Sequence, residues 1–356
     1  MKRWMIYGAN GYTARLIVAA ALERGLKPIL AGRDRDALDA LAQPHGLTRR
    51  VFALDDAGEI ARNLDGIDLL LNCAGPFSRT CEPLLEGCLA NKTHYLDITG
   101  EIDVFALCHR AHNRARHEGI VVFPGTGFDV VPTDCLAAML KHRLADATHL
   151  VLAFEAAGGP SPGTAKTSVE GLVKGGRARI DGELVEVPLV WKSREFVRAD
   201  GVVRSAMTIP WGDVYTAFVS TGIPDIETYM ALPEQTIARM RLLRHLRPLL
   251  TLGPVQRVLR ARAARTPGPD LERRQRSGST IWGEVVNASG RQVKLGLSAP
   301  NGYELTVTAS LGIVEHLLAT TPAGGYYTPS MLMGADYVLG LPGVALIENR
   351  AIGEAC

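Results

Sequence analysis

The chain predicts an α/β protein: a doubly wound parallel sheet first, then an α+β second domain with a largely antiparallel sheet. Three observations predict it. Over residues 1–145 short apolar runs alternate with helical stretches of about ten residues, the pattern of strands joined by crossover helices. The first run stops at a glycine turn that opens a helix. From residue 148 onward the pattern changes, and near the end alternating runs are joined by turn residues such as Asn-Gly. The expected division is 1–146, 147–325, and a C-terminal helix within 326–356 that returns to the first domain. With 356 residues, 47% of them hydrophobic, the chain has material for two cores.

Taken in order, residues 4–7 form a buried strand that ends at Gly8, and a helix follows over 12–24. Between them the spacing is Gly8-x-x-Gly11-x-x-Ala14. Gly8 lets the chain turn sharply, Gly11 lets a pyrophosphate approach the backbone, and Ala14 lets the helix pack close to the strand. The free N–H groups and positive end of the helix attract phosphates. This is the dinucleotide-binding turn of a Rossmann-type sheet. The second strand, 28–32, ends in Arg33. An NAD-type site keeps a carboxylate there for the ribose 2′-hydroxyl; Arg33 can fork onto a 2′-phosphate, which predicts NADP(H). Further strands over 50–54, 68–72, 94–97 and 120–123 alternate with helices over 36–42, 57–64, 81–91 and 103–118, and another helix runs to 144. Ligands sit beyond the carboxyl ends of such strands. That rule selects residues 8–13, Arg33, Asp55, 72–77, 97–101 and 124–129.

In the second domain a strand over 148–155, a loop over 158–163 and a helix over 164–175 come first. Strands over 280–286, 291–298 and 304–310 follow, then helices over 312–320 and 329–341. One stretch stands apart. Residues 235–269 hold no Asp or Glu, while Arg239, Arg241, Arg244, Arg247, Arg257, Arg260, Arg262 and Arg265 punctuate apolar residues. Two basic amphipathic helices split at Gly253-Pro254 are expected. They either pack on the domain or on a second subunit, as in a homodimer, or dock peripherally on an anionic membrane or an acidic carrier.

Several classes are excluded. A net charge of +2 gives no electrostatic footprint for nucleic acid. Of the 6 cysteines no two are spaced Cys-x-x-Cys, so no zinc ribbon or thioredoxin-like motif is present and no metal is expected. A strand starting at residue 4 leaves no room for a signal peptide, and no apolar run spans a bilayer, so a cytoplasmic location is expected. Tyr-x-x-x-Lys does not occur, and the lysine after Gly163 is misplaced for a phosphate loop.

Gly8-Ala-Asn-Gly-Tyr-Thr13, Ala31-Gly-Arg33, Asn72-Cys-Ala-Gly-Pro-Phe77, Tyr95-Leu-Asp-Ile-Thr-Gly-Glu101 and the run from Pro124 to Asp134 resemble the saccharopine dehydrogenase-like oxidoreductases. Within them the chain is most similar to the branch of the trans-acting enoyl reductases of mycobacterial lipid synthesis and the lipid-droplet-associated animal homologues. The resemblance covers the first 135 residues well. It implies that Gly8, Asn10, Gly11, Tyr12 and Thr13 hold the pyrophosphate, that Arg33 holds the 2′-phosphate, and that Asp55 lies near adenine. It also implies that Ala74, Gly75 and Pro76 lie along the nicotinamide ribose.

Hydride transfer needs orientation and a proton. Donor candidates near the nicotinamide are Tyr95, Asp97, Thr99, Glu101 and Asp129, each of which can equally cap a helix or brace a loop. Asp134 can cap the helix that follows it. Lys166, Lys174, Arg177 and Arg179 are candidate anchors for substrate carboxylates. The expected function is NADPH-dependent hydride transfer to an activated C=C or C=N bond of a small or lipid-like substrate. The alternative is a non-catalytic NADP(H)-binding module or redox sensor serving a partner enzyme.

Overall fold

A computed structural model describes residues 2–157, 159, 165, 175–198, 200–244, 252–264 and 268–347. The expected helix over 164–175 lies almost wholly outside the described residues. The chain forms two compact units. The first comprises Met1–Phe128 and Thr306–Thr328; the second comprises Asp129–Leu305 and Pro329–Cys356.

The first unit carries a parallel seven-stranded sheet. Its strands are β1 (Trp4–Tyr7), β2 (Ile29–Gly32), β3 (Arg49–Val51), β4 (Leu69–Asn72), β5 (His94–Asp97), β6 (Val121–Phe123) and a late strand at Gly325–Tyr326. The spatial order is 3-2-1-4-5-6, with Gly325–Tyr326 added beside β6. Strand order therefore reverses between β1 and β4, and the register runs from Trp4 opposite Leu69 to Tyr7 opposite Asn72. A crevice at such a reversal is where these sheets bind ligands. β1, β2 and β4 are buried along their whole length, as continuous apolar strands covered on both faces must be. Helix α1 (Tyr12–Glu23) follows the glycine turn, α2 is Arg35–Ala42 and α3 is Ala57–Leu64. α4 is Phe77–Asn91, α5 is Ile102–Arg110 and α6 is His112–Glu118.

The sequence is read differently by the structure in three places. The single helix expected over 103–118 is two helices, broken at Ala111. The strand expected over 304–310 is part of an 18-residue helix, Gly302–Ala319. Asn301 takes the start of that helix: its Oδ1 accepts the Tyr303 N–H at 3.0 Å, and its carbonyl accepts the Leu305 N–H at 3.0 Å. Asn is as good an N-cap as a hairpin residue, and a helix buried on most sides loses the polar face that would mark its period. Residues 329–341 are not one helix either, because Gly334 at φ +87° separates Pro329–Met333 from a 3₁₀ turn at Ala335–Gly340. The segment that returns to the first unit is thus 306–328, and the boundary falls at Phe128 rather than at 146.

The returning segment is fixed by side chain and backbone. Lys2 Nζ donates to the Leu317 and Thr320 carbonyls at 2.7 and 2.6 Å, which closes the helix C-terminus. Gly325 and Tyr327 N–H groups donate to Ile120 and Val122 carbonyls, and Tyr326 is buried.

The second unit has helix α7 (Val131–Arg143) and a mixed, mostly antiparallel sheet. Ala147–Ala156 lies at its centre, parallel to Asp225–Ala231 and antiparallel to Gly278–Asn287, which forms a hairpin with Gln292–Pro300. The helix packs on the sheet at Gly283, where a Cβ would stand 2.5 Å from a Leu140 methyl and 2.9 Å from a Leu136 methyl. The arginine-rich helices are Glu234–Leu243 and Gly253–Ala264. Arg239, Arg241, Arg257 and Arg262 are exposed on them beside the exposed Leu242 and Val258, and Arg241 reaches Ser193 Oγ at 2.7 Å. Arg247, Arg265 and the side chain of Arg260 lie outside the described residues. Among the described residues no helix is long and apolar enough to cross a membrane.

Replacing Gly283 by Ala forces α7 off the sheet. We expect a loss of about 1–3 kcal/mol of stability, the usual cost of overpacking, measurable as a lower urea midpoint.

Candidate cofactor site

The glycine turn sits at the β1/β4 reversal. Gly8 has φ +77°, and a Cβ there would lie 2.8 Å from the Ala74 Cβ, so only glycine lets the two strand ends close together. Gly8 and Ala9 N–H groups both donate to the Ala31 carbonyl, and Gly11 N–H returns to the Gly8 carbonyl at 2.9 Å. Gly11 is the N-cap of α1 with no side chain capping it and no acidic residue in the first turn. The first N–H groups of the helix are left for an anion. Asn10 lies over Gly32: a Cβ on Gly32 would be 3.8 Å from Asn10 Oδ1. Ala14 is buried, as close helix–strand packing needs, while Tyr12 and Thr13 are half-buried on the turn.

Arg33 follows β2 and is exposed. Its neighbour Asp34 is committed elsewhere, accepting the Ala37 N–H at 3.1 Å as the N-cap of α2. Among the described residues no carboxylate pairs with Arg33. Beside it, Tyr7 donates its hydroxyl to the Phe52 carbonyl at 3.1 Å, and burial pushes its pKa up to about 12 despite the Arg33 charge. Asp55 is exposed, and it is Asp56 that caps α3 through the Gly58 and Glu59 N–H groups.

Beyond β4 the chain makes the turn Ala74-Gly75-Pro76, with a cis peptide between Gly75 and Pro76. Asn72 braces it: its Oδ1 accepts the Ala74 N–H at 3.0 Å, and its amide donates to Thr80 Oγ1 at 3.1 Å and to the Tyr95 hydroxyl at 3.3 Å. Tyr95 donates to Asp97 Oδ2 at 2.8 Å. Asp97 Oδ1 accepts the N–H groups of Thr99 and Gly125 at 3.0 and 2.9 Å. Asp97 is fully buried, and burial pushes its carboxyl up to about 7 against the pull of those donors. The same burial holds the Tyr95 hydroxyl well above its ordinary value, with the Asp97 charge adding to it.

Glu101 faces the other way. Its two carboxylate oxygens accept the Phe77 and Ser78 N–H groups at 2.9 Å each, so it closes the N-terminus of α4, where a negative charge is favoured. Thr99 Oγ1 in turn accepts the Glu101 N–H at 3.0 Å. Tyr95, Asp97, Thr99 and Glu101 thus form one braced rim in the first unit. Asp129 opens the second unit, where its carbonyl accepts the Trp211 Nε1–H at 2.6 Å.

The second unit holds a carboxylate that local sequence does not flag. Asp213 is fully buried at the start of helix Asp213–Thr221, and neither of its oxygens has a hydrogen-bond partner. Thr133 Oγ1, beside it, spends its proton on the Val130 carbonyl at 3.1 Å. Asp134 does not serve as a simple helix cap but ties Ser220 Oγ and the Ser330 N–H, both at 2.8 Å. Burial, with Asp134 and Asp129 nearby, drives the Asp213 carboxyl well above the usual range. Of the candidate substrate anchors, Lys166 and Lys174 lie outside the described residues. Arg177 pairs with Glu186 at 2.8 Å. Arg179 is buried, donates to the Val214 and Gly182 carbonyls, and stacks 4.0 Å over Phe218.

Residues 4–120 match the family described as the saccharopine dehydrogenase NADP binding domain. NADP is the cofactor of this domain. Among curated relatives, the mouse saccharopine dehydrogenase-like oxidoreductase is 28% identical over 156 residues, 36% of this chain and 35% of that protein. An Arabidopsis thaliana protein, named a mitochondrial saccharopine dehydrogenase-like oxidoreductase, is 30% identical over 147 residues, 36% of this chain and 32% of its own length. A Mycobacterium tuberculosis protein named as a trans-acting enoyl reductase is 27% identical over 188 residues, 47% of this chain and 43% of its own. The chain therefore matches less than half the length of these relatives. Apo saccharopine dehydrogenase (L-Glu forming) of Saccharomyces cerevisiae shares the fold of the chain. The TM-score is 0.63 at 10% identity, over 98% of this chain and all of that one.

Glu101→Ala leaves two helix N–H groups without an acceptor, so we expect a loss of about 1–3 kcal/mol in urea unfolding, partly recovered in Glu101→Gln. Asp213 gives a pH signature. Its folded pKa lies above the ordinary 3.8, so stability is fullest below that value and declines as pH rises above it. Asp213→Asn should flatten that decline and be more stable than the parent at about pH 8, read from urea midpoints across pH.

Proposed function

We propose that the protein is an NADP-dependent oxidoreductase that transfers hydride to an activated C=C or C=N bond of a small or lipid-like molecule. One observation carries this reading. A glycine turn closed against Ala74 and an uncapped helix N-terminus occur together at the reversal of strand order, and Arg33, with no carboxylate partner among the described residues, follows the neighbouring strand β2. The bound dinucleotide supplies the hydride chemistry. The chain supplies the rest. Gly8, Asn10, Gly11, Tyr12 and Thr13 cradle the pyrophosphate. Arg33 grips the 2′-phosphate, and Asp55 stands on the adenosine side. Ala74, Gly75 and Pro76 line the nicotinamide ribose, held in place by Asn72.

The braced rim limits the choice of proton donor. Glu101 has both oxygens on backbone N–H groups, and Asp97 is sealed behind Tyr95 and two N–H donors. Those commitments favour a second reading, a module that binds NADP(H) for a partner enzyme without turnover of its own. Steady oxidation of NADPH with a panel of enoyl thioesters and imines supports the enzyme; tight NADPH binding with no oxidation by any of them supports the module.

Arg33→Ala tests the grip. Losing a charge-assisted contact of about 1.5–3 kcal/mol weakens NADPH binding about ten- to a hundredfold. NADH, which lacks the extra phosphate, should bind the variant and the parent alike. Calorimetry on both proteins reads this directly, and absence of binding of either nucleotide by the parent would overturn the proposal as a whole.

A further inference from the structure

We propose that Cys81, Asp97 and Cys108 form a binding site for a thiophilic divalent metal of the zinc class inside the first unit. Cys81 comes from α4, Cys108 from α5 and Asp97 from the end of β5. All three are fully buried, and their ligand atoms all lie within 4.8 Å of one another. The two sulfurs are 3.5 Å apart. Zinc–sulfur bonds of about 2.3 Å in a tetrahedron put two thiolates about 3.8 Å apart, so the pair needs to spread only slightly to share one ion. Two thiolates and a carboxylate suit zinc and disfavour magnesium or calcium, which take oxygen ligands alone.

The surroundings already orient the carboxylate. The Thr99 and Gly125 N–H groups hold Asp97 Oδ1, and the Tyr95 hydroxyl meets Oδ2, the kind of outer support that metal ligands carry. Without a metal, burial pushes the Cys108 thiol up, and the two sulfurs share an S–H···S contact. Binding a divalent cation displaces the two thiol protons to solvent and leaves two thiolates and one carboxylate on the ion. The metal would join α4, α5 and β5 under the same rim that faces the cofactor. It does not depend on the reaction proposed above, nor on whether the protein turns over at all. No local motif announces it, because the two cysteines lie 27 positions apart.

The test uses the full chain, purified under reducing conditions. Elemental analysis of the native protein should find close to one equivalent of zinc, and added Zn²⁺ should raise the melting temperature of metal-stripped protein. Protein unfolded and refolded with Co²⁺ should show sulfur-to-cobalt charge-transfer absorption and the visible bands of tetrahedral cobalt. The Cys81→Ser/Cys108→Ser variant should lose all of these, and Cys88→Ser, at another buried thiol, should keep them. Should the double variant not fold, the zinc content and thermal shift of the parent decide. The proposal is overturned by native protein without zinc that gains no thermal stability from Zn²⁺, or by cobalt bands that survive the double variant. It is equally overturned if mass spectrometry of the denatured, unreduced parent shows a Cys81–Cys108 disulfide.

Discussion

The buried carboxylate of Asp97 is the constraint on which the rim of the first unit depends. Its side chain takes N–H groups from the loops after β5 and β6 and the hydroxyl of Tyr95, and its own carbonyl accepts the Thr126 N–H at 2.7 Å and Thr126 Oγ1 at 3.0 Å. Thr126 Oγ1 then meets Ser310 Oγ at 2.9 Å, on the helix that returns from late in the chain. Through Tyr95 the same group reaches Asn72 and the Ala74-Gly75-Pro76 turn. One acidic side chain therefore sets the mutual positions of three strand ends. A network of this kind is rigid because every member is satisfied, and in a buried site of low dielectric each bond is worth more than it would be in water.

Asp97 and Asp213 show how burial acts with and without donors. Both are fully buried and both titrate above the ordinary carboxylate range. Asp97 accepts three hydrogen bonds, and its carboxyl is pushed only to about 7. Neither oxygen of Asp213 makes a well-formed hydrogen bond, because the nearby Thr133 hydroxyl is turned to the Val130 carbonyl, and two other aspartates stand close. The desolvation cost is common to the two; the donors decide how much of it is offset.

Where a feature is local, it was legible before any coordinates. Gly8, Gly11 and Ala14 define their turn within one βα unit, which the structure puts at the β1/β4 reversal, and Arg33 follows the next strand, β2. The alternation of apolar runs likewise predicts the parallel sheet. What escaped was set by distant partners. Glu101 reads as a cap for the helix after it, yet it caps α4, whose first residue precedes it in the chain by 24 positions. The pairing of Cys81 with Cys108 leaves no spacing signature, and the burial of Asp213 follows from helix packing that no window of sequence contains. The misread strand at 304–310 has a different cause. Polar and apolar residues alternate there behind an Asn-Gly pair, and only the seating of the whole helix, with Ser310 and Leu311 fully buried, overrides that pattern.

The late strand at Gly325–Tyr326 has a consequence for biosynthesis. β6 emerges from the ribosome some two hundred residues before the partner that covers its free edge. Until that partner arrives, the nascent nucleotide domain presents an unpaired, wholly apolar border of Val121, Val122 and Phe123. Such a border is a template for pairing with other chains until residues 325–326 close it.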